Sequence, residues 1–466
     1  MSEKADDRRD WLWCAAIVGY FIAQMVSRLL IGPALDLDEA EAFYFARELA
    51  FGYGPQPPLY FWLQWVFFAV LGENIFALAA LKALILGGGC VMIYRFLRAV
   101  LPPEGAGLAT VSLGLLPELV WEAQRTLTHT NLVFLMSVLT FWAIRRVLVR
   151  QGTLDYVIFG IVVGLGLLAK HNFVVFLLAI LAVVAVFSRW RLRLSWRGLA
   201  VSGAVAAALA LPYALWLLQN PEIGTGSLSK LGVQPDAAGA LFAAATALIV
   251  AFLSLYGLAV VVLIPLILRH RATLRRAWPD ELALLAATAL VAMMIVTAMI
   301  LVSGATSVKS RWLMPLGWSL LPAVVGAVCL TAGGMWPGWR RGLLWGLPAV
   351  WAVVLVALPY ASLENPGYRA ARFDRVVAAI PADVPVVSAD IWALGNLALL
   401  LPSRPIYRSG SVLPSGPVAI LAQAGGAEDL GRTLGLQDLG VPKEVVVMDG
   451  RRGRIYDLVS GQRAPE

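Results

Sequence analysis

Four carboxylates stand within six residues in Asp36-Leu37-Asp38-Glu39-Ala40-Glu41, directly after an apolar run long enough to cross a bilayer. Ionised carboxylates next to hydrocarbon are costly, so such a cluster is a functional candidate by default. A carboxylate there could serve as a general base toward a hydroxyl. The plainer reading is a solvated loop whose acids cap a helix, because Asp and Glu suit a helix N-terminus. Spacing alone leaves the two readings even. Other polar side chains gather between later apolar runs: Gln56, Glu118, Glu122, Arg125, His129, Lys170, His171, Glu222, Lys230, Lys309 and Arg311. Arg28 and Lys82 lie inside apolar runs near their ends. Cations of this kind can hold a phosphate. For any one of them, snorkelling at a helix end is the simpler account; the whole set is harder to dismiss.

The elements that must position these residues are membrane spans. The chain has 466 residues, 60% of them hydrophobic and 14% charged, with a mean hydropathy of +0.77. No soluble core hides that much apolar surface, so a polytopic α-helical membrane protein is expected. Apolar runs of suitable length place about eleven spans at 11–33, 75–99, 106–121, 130–149, 153–169, 171–188, 197–219, 238–268, 281–303, 312–332 and 340–361. The shorter run 57–71 opens with Pro57-Pro58 and reads as an interfacial helix in the first outer loop. With the N-terminus inside, every arginine-dense loop falls inside too, from Arg95 and Arg98 through Arg145, Arg146 and Arg150 to Arg340 and Arg341. That asymmetry is the one topology requires. The net charge of +8 is therefore a matter of topology, and nucleic acid is not an expected partner. The carboxylates, imidazoles and remaining cations fall on the opposite, outer side. Cys14, Cys90 and Cys329 sit in apolar runs without metal-ligand or disulfide spacing. The first apolar run lacks a small-residue cleavage site, so no cleaved signal is expected.

From about residue 363 the character changes. Val384-Pro385-Val386-Val387-Ser388 and Lys443-Glu444-Val445-Val446-Val447-Met448 read as short strands, and 369–379 as an amphipathic helix. The expected organisation is a transmembrane domain over 1–362 and a small soluble α/β domain over 363–466, on the outer side. The tail carries no P-loop, no GxSxG and no metal-ligand cluster, and Arg451-Arg452-Gly453-Arg454 reads as a solvated turn. No internal repeat is evident, which weakens a transporter built from inverted halves. The loop 220–238, with Gly224, Gly226 and Gly232, suits a mobile lid or an ordinary loop.

The opening stretch resembles the GT-C class of membrane glycosyltransferases, and more narrowly the superfamily of protein mannosyltransferases and aminoarabinose transferases (glycosyltransferase family 39-like). The matching residues are Asp38-Glu39-Ala40, Gly52-Tyr53 and Gln56-Pro57-Pro58-Leu59, without a gap. Supporting matches follow at Thr128-His129-Thr130-Asn131, Gly166-Leu167-Leu168-Ala169-Lys170-His171 and Arg311-Trp312-Leu313-Met314-Pro315-Leu316. The resemblance covers roughly residues 11–332. Two positions depart from the family pattern: Gln56 stands for a histidine and His129 for an acid.

The resemblance implies an inverting transfer of a sugar from a polyprenyl-phosphate donor to a lipid or envelope-glycan acceptor, at the periplasmic face of a bacterial inner membrane. It makes Asp38 the base, with Glu39 orienting it or capping the helix, and His129 standing in as an acid/base or hydrogen-bond donor. Lys170, Lys309 and Arg311 are the donor-phosphate candidates, with Lys82 and Lys230 weaker. Asp36, Gln56, Glu122, Arg125 and His171 are candidates for positioning donor or acceptor. No cofactor is required by this reading; a divalent cation on Asp36, Asp38 and Glu39 stays open, and a monomer is expected. Two other functions remain at this stage: a lipid-linked saccharide flippase, which would want charges at mid-membrane, and a glycan ligase or polymerase with a larger acceptor.

Overall fold

An apolar segment without a polar face is stable as a helix in the bilayer or within the protein, because only there are its backbone groups satisfied internally at no cost to its side chains. The computed structural model describes residues 2–225, 237–269, 271–274, 278–330, 337–448 and 454–464. The N-terminal helices are α1 (Ser2–Leu30), α2 (Leu37–Phe45), α3 (Leu59–Leu71), α4 (Ile75–Leu97) and α5 (Pro103–Val111). Then come α6 (Thr128–Arg150), α7 (Thr153–Leu167), α8 (Phe173–Val186), α9 (Trp196–Gln219), α10 (Ala237–Arg269) and α11 (Asp280–Ser303). The series closes with α12 (Ser310–Gly317), α13 (Leu320–Leu330), α14 (Pro337–Glu364), α15 (Phe373–Ala379), α16 (Ile391–Leu400) and α17 (Ala427–Thr433). Lys230 and its loop with Gly226 and Gly232, Arg275, Arg276 and the turn at Arg451 lie outside the described residues.

Among the described residues seven helices are long and apolar enough to span a membrane, or eight if one bent pair counts as a span. The seven lie in α1, α4, α6, α9, α10, α11 and α14. The chain is thus a multi-span helical membrane protein; among the described residues, seven or eight of the eleven expected spans meet the length and apolarity of a full crossing. The run 312–332 is the bent pair, α12 and α13, at 43°; Pro315 and Pro322 each lack a backbone N–H, which weakens the helix at that point. The run 106–121 is broken too. α5 gives way to a 3-10 turn over Ser112–Leu115 and, after Pro117, a π turn over Glu118–Glu122. α7 and α8 have 15 and 14 residues, about 22 Å each at 1.5 Å per residue, short of a ~30 Å hydrocarbon core. The 57–71 run forms α3, with 13 residues.

Contacts divide the chain into two units: Met1–Gln24, Ala50–Tyr60 and Lys82–Ala357 in the first, Met25–Leu49, Phe61–Leu81 and Leu358–Glu466 in the second. In the first unit α7 packs on α9, and α11 on α8 and α13. Its core is aromatic around Trp318, which meets Phe134 and Phe141 edge-on at 5.6 and 5.7 Å and donates its indole N–H to Ser137 at 2.7 Å. At the helix ends that carry the arginine-dense loops, Arg145 pairs with Glu281 at 2.9 Å, Arg146 with Asp155 at 2.6 Å and Arg189 with Asp280 at 3.1 Å.

The second unit holds a five-stranded sheet in the order β2-β1-β3-β5-β4, formed by β1 (Val386–Ser388), β2 (Ile406–Arg408), β3 (Gly416–Gln423), β4 (Lys443–Met448) and β5 (Arg454–Arg463). β1 runs parallel to β2 and β3, and β5 antiparallel to β3 and β4. Val387, Val418, Ile420 and Val459 fill its core. The helix expected over 369–379 is divided: a 3-10 turn over Gly367–Ala370, an extended Ala371, then α15. The Arg372 N–H donates to the carbonyl of Val447 at 2.9 Å, so that stretch of backbone is taken up near β4 instead of continuing a helix.

Candidate active site

The acidic stretch lies in the second unit and begins α2. Asp36 is its N-cap, with extended backbone and a side chain accepting from the Leu37 N–H at 2.7 Å; Glu39 completes a capping box by accepting from the Asp36 N–H at 3.2 Å. The helix-capping reading of these acids is therefore realised. Glu39 does more than cap. It is 3% exposed, and Arg28 grips it with Nε on Oε1 and Nη2 on Oε2, both at 2.8 Å. Arg369 grips it from the tail, with Nη2 at 3.0 Å from Oε1 and Nε at 3.4 Å from Oε2. Burial works against the charge of Arg369, and the carboxylate of Glu39 outweighs it, raising the guanidinium above its usual range. Burial and the charge of Glu39 raise the Asp36 carboxyl. Asp38 stands half-buried in the first turn of α2, between these two anchored acids.

The loop before α2 is fastened by α16. The Leu35 N–H donates to Asn396 Oδ1 at 2.8 Å, and the Leu35 carbonyl accepts the Trp392 indole N–H at 2.8 Å. α16 approaches α2 so closely that a Cβ on Gly395 would stand 2.2 Å from the Ala40 carbonyl oxygen. Arg28 was visible in the sequence at the end of a span. Arg369, Trp392 and Asn396 were not, because their partners lie more than 300 residues away in the chain.

The basic and aromatic candidates lie in the first unit, where four matching segments meet. The Leu59 N–H donates to the Leu168 carbonyl at 3.0 Å, joining 56–59 to 166–171. Tyr60 packs on His129, ring centroids 5.3 Å apart. Lys170 Nζ donates to Thr130 Oγ1 at 2.9 Å, joining 166–171 to the start of α6. Asn172 donates to the Trp312 carbonyl at 3.3 Å, which brings in α12. His129 is buried, with Nδ1 3.1 Å from Thr128 Oγ1. His171 Nε2 lies 3.1 Å from the Tyr213 hydroxyl, and Tyr213 stacks on Trp216. Gly52 lies against Trp216: a Cβ there would stand 2.1 Å from the ring, which explains the glycine before Tyr53.

Gln56 is half-buried at the start of its segment. Lys309 is exposed at the N-cap of α12, and Arg311 is half-buried as the second residue of that helix. Ser310 between them hydrogen-bonds the buried Glu118. Glu122 and Arg125 pair with each other at 3.2 Å. Lys82 is buried and donates to the carbonyls of Gln124 and Arg125 at 3.3 and 3.5 Å, at the end of a short helical turn. For a divalent cation the fit is poor. Both Glu39 oxygens already accept from two guanidiniums, and among the described residues no three His, Cys, Asp or Glu side chains are grouped to hold a metal ion.

The model of the dolichyl-phosphate-mannose-protein mannosyltransferase family matches residues 55–216. The chain is 34% identical over 375 residues to the lipopolysaccharide core galacturonosyltransferase RgtB of Rhizobium johnstonii, spanning 79% of this chain and 74% of that protein. It is 30% identical over 423 residues to RgtA of the same organism, spanning 86% and 82%. The crystal structure of ArnT from Cupriavidus metallidurans bound to undecaprenyl phosphate has the same fold, with a TM-score of 0.64 at 14% identity over 95% of this chain and 97% of that one. The acids at the head of α2, the meeting of the matching segments and these likenesses agree: the chain belongs to the GT-C class of membrane glycosyltransferases, in the family that includes the lipopolysaccharide core galacturonosyltransferases.

Proposed function

We propose that the protein moves a uronosyl residue, as the names of RgtA and RgtB suggest a galacturonosyl residue, from a polyprenyl-phosphate carrier to the core of lipopolysaccharide, at the periplasmic face of the inner membrane. The observation that carries this reading is the convergence of 56–60, 128–131, 166–172 and 310–312 through hydrogen bonds and a ring contact. These are the segments in which the sequence resembles the family, and they include the side-chain cations Lys170 and Arg311, with Lys309 just before the last of them.

A lipid phosphate is already a good leaving group, so the enzyme needs a base and anion-stabilising cations more than a nucleotide fold. The acceptor hydroxyl oxygen attacks the anomeric carbon from the face opposite the phosphate, which inverts that carbon. The bond to phosphate breaks with its electron pair, and polyprenyl phosphate leaves. The hydroxyl proton passes to the Asp38 carboxylate. Lys170 and Arg311, with Lys309, balance the phosphate charge. A uronosyl donor carries a second anion, and His129 in place of an acid removes a like charge that would repel it.

The test is transfer in detergent from a labelled polyprenyl-phosphate uronic acid to extracted lipopolysaccharide, with wild type beside Asp38→Asn. Turnover in Asp38→Asn is expected to fall about 10²- to 10⁴-fold with donor binding retained. Equal turnover would take the base role from Asp38; no transfer by wild type from any polyprenyl-phosphate sugar would overturn the donor.

A further inference from the structure

The proposed chemistry leaves the tail without a role, yet the tail supplies long-range partners of the acidic turn. Arg369 stands 330 positions from Glu39 in sequence and is itself 3% exposed. With Arg28 it surrounds one carboxylate by four guanidinium N–H groups between 2.8 and 3.4 Å. Glu39 is the third residue of α2 and Asp36 its N-cap, so the residues bracketing Asp38 are anchored by side chains as well as backbone. The turn entering α2 is anchored again where Asn396 and Trp392 take both the N–H and the carbonyl of Leu35. An ion pair buried this deeply is a poor source of net stability, because desolvation consumes most of the Coulombic gain. What it does provide is a fixed geometry.

We infer that Arg369 is a positioning residue for Asp38, with Asn396 as a second anchor, so that the C-terminal segment is part of the reaction machinery. The inference rests on the assignment of Asp38 as base. A base misplaced by about 1 Å loses on the order of 100-fold in rate. Without Arg369, Glu39 is held from one side only, and the first turn of α2 is free to shift by such an amount.

The full-length enzyme tests this through Arg369→Gln, Arg369→Lys and Asn396→Ala, with Asp38→Asn alongside and Arg372→Gln as the control. Arg372 is exposed and pairs with Asp374. In Arg369→Gln, kcat per donor-binding site is expected to fall about 100-fold with KM for donor within about twofold, since only the transition state feels the misplaced base. Arg369→Lys should recover part of that loss, Asn396→Ala should lose less, and Arg372→Gln should turn over as wild type. A purely structural Arg369 would lower the yield of donor-binding protein and leave kcat per site unchanged; that result overturns the inference, as does a raised KM at unchanged kcat. If Arg369→Gln gives no folded protein, wild-type kcat in both Arg369→Lys and Asn396→Ala overturns it instead. Loss of turnover in Asp38→Asn with wild-type kcat in Arg369→Gln removes the positioning role alone. Full turnover in Asp38→Asn removes the base assignment, and this inference with it.

Discussion

Glu39 and Lys170 show two ways of fixing a charge. Glu39 is sealed from water and engaged by two guanidiniums, one of them from the tail. Lys170 is half-buried and donates to a neutral hydroxyl, that of Thr130. A carboxylate held by two opposite charges has little capacity left for a substrate, and its use is to hold other groups in place. A contact with a hydroxyl does not itself neutralise an ammonium ion, which suits that group to attract an anion. On the proposed function, the acidic turn supplies geometry and the basic loops supply binding. The same contrast holds for what fastens them: residues of the tail for the acidic turn, and one matching segment against another for the basic loops.

Lys170→Ala probes the binding side of this contrast most directly. If Lys170 holds the donor phosphate as proposed, its removal should lower kcat/KM about 100-fold, while thermal stability changes little because Thr130 keeps its place on α6. A variant with normal kinetics and a large loss of stability would make Lys170 a structural residue, and the contrast with Glu39 would disappear.

The two glycines at close approaches sharpen it further. Gly395→Ala places a methyl group against the Ala40 backbone and Gly52→Ala against the Trp216 ring. Overpacking of this kind costs about 1–3 kcal/mol, so both variants should unfold at lower temperature. Their kinetics should separate: Gly395→Ala pushes on α2 and should lower kcat, whereas Gly52→Ala disturbs the Tyr213–Trp216 stack and should raise KM for donor. The same kinetic change in both would mean that the two regions do not divide geometry from binding.

The sequence made some of this visible, and the reasons differ by region. Spans α1, α4, α6, α9, α10, α11 and α14 follow from apolar runs, because run length is a local property. The breaks near Pro117 and Ser319 depend on how each piece packs, and the run alone reads as continuous. In the first unit the segments that resemble the family are ones that touch, so residue types alone picked out stretches that the fold brings together. The capping box could be read from an Asp and a Glu three apart. The clamp that Arg28 and Arg369 form on Glu39 could not. Arg369 lies in a stretch whose periodicity suggests a single amphipathic helix, and nothing local announces a partner 330 residues away. Lys82 has the opposite history: a cation in an apolar run suggested phosphate, and its observed acceptors are backbone carbonyls.

Asp36 carries the smallest expected effect, and it decides where the clamp ends. Its carboxyl is raised above 3.8 by burial and then by the charge of Glu39, against the opposing influences of Arg369 and the Leu37 N–H. A raised carboxyl binds its proton more tightly in the folded state. The stability it contributes is complete below 3.8 and is lost as pH rises through the folded value. Asparagine cannot ionise and caps a helix as well as aspartate does. Asp36→Asn should therefore match wild type at pH below 3.8 and unfold at a slightly higher temperature near neutrality, as thermal unfolding across that range would show. The opposite order near neutrality would mean that the attraction of Arg369 outweighs burial. Asp36 would then belong to the clamp as a second counter-ion, and Arg369 would hold the N-cap of α2 directly as well as through Glu39.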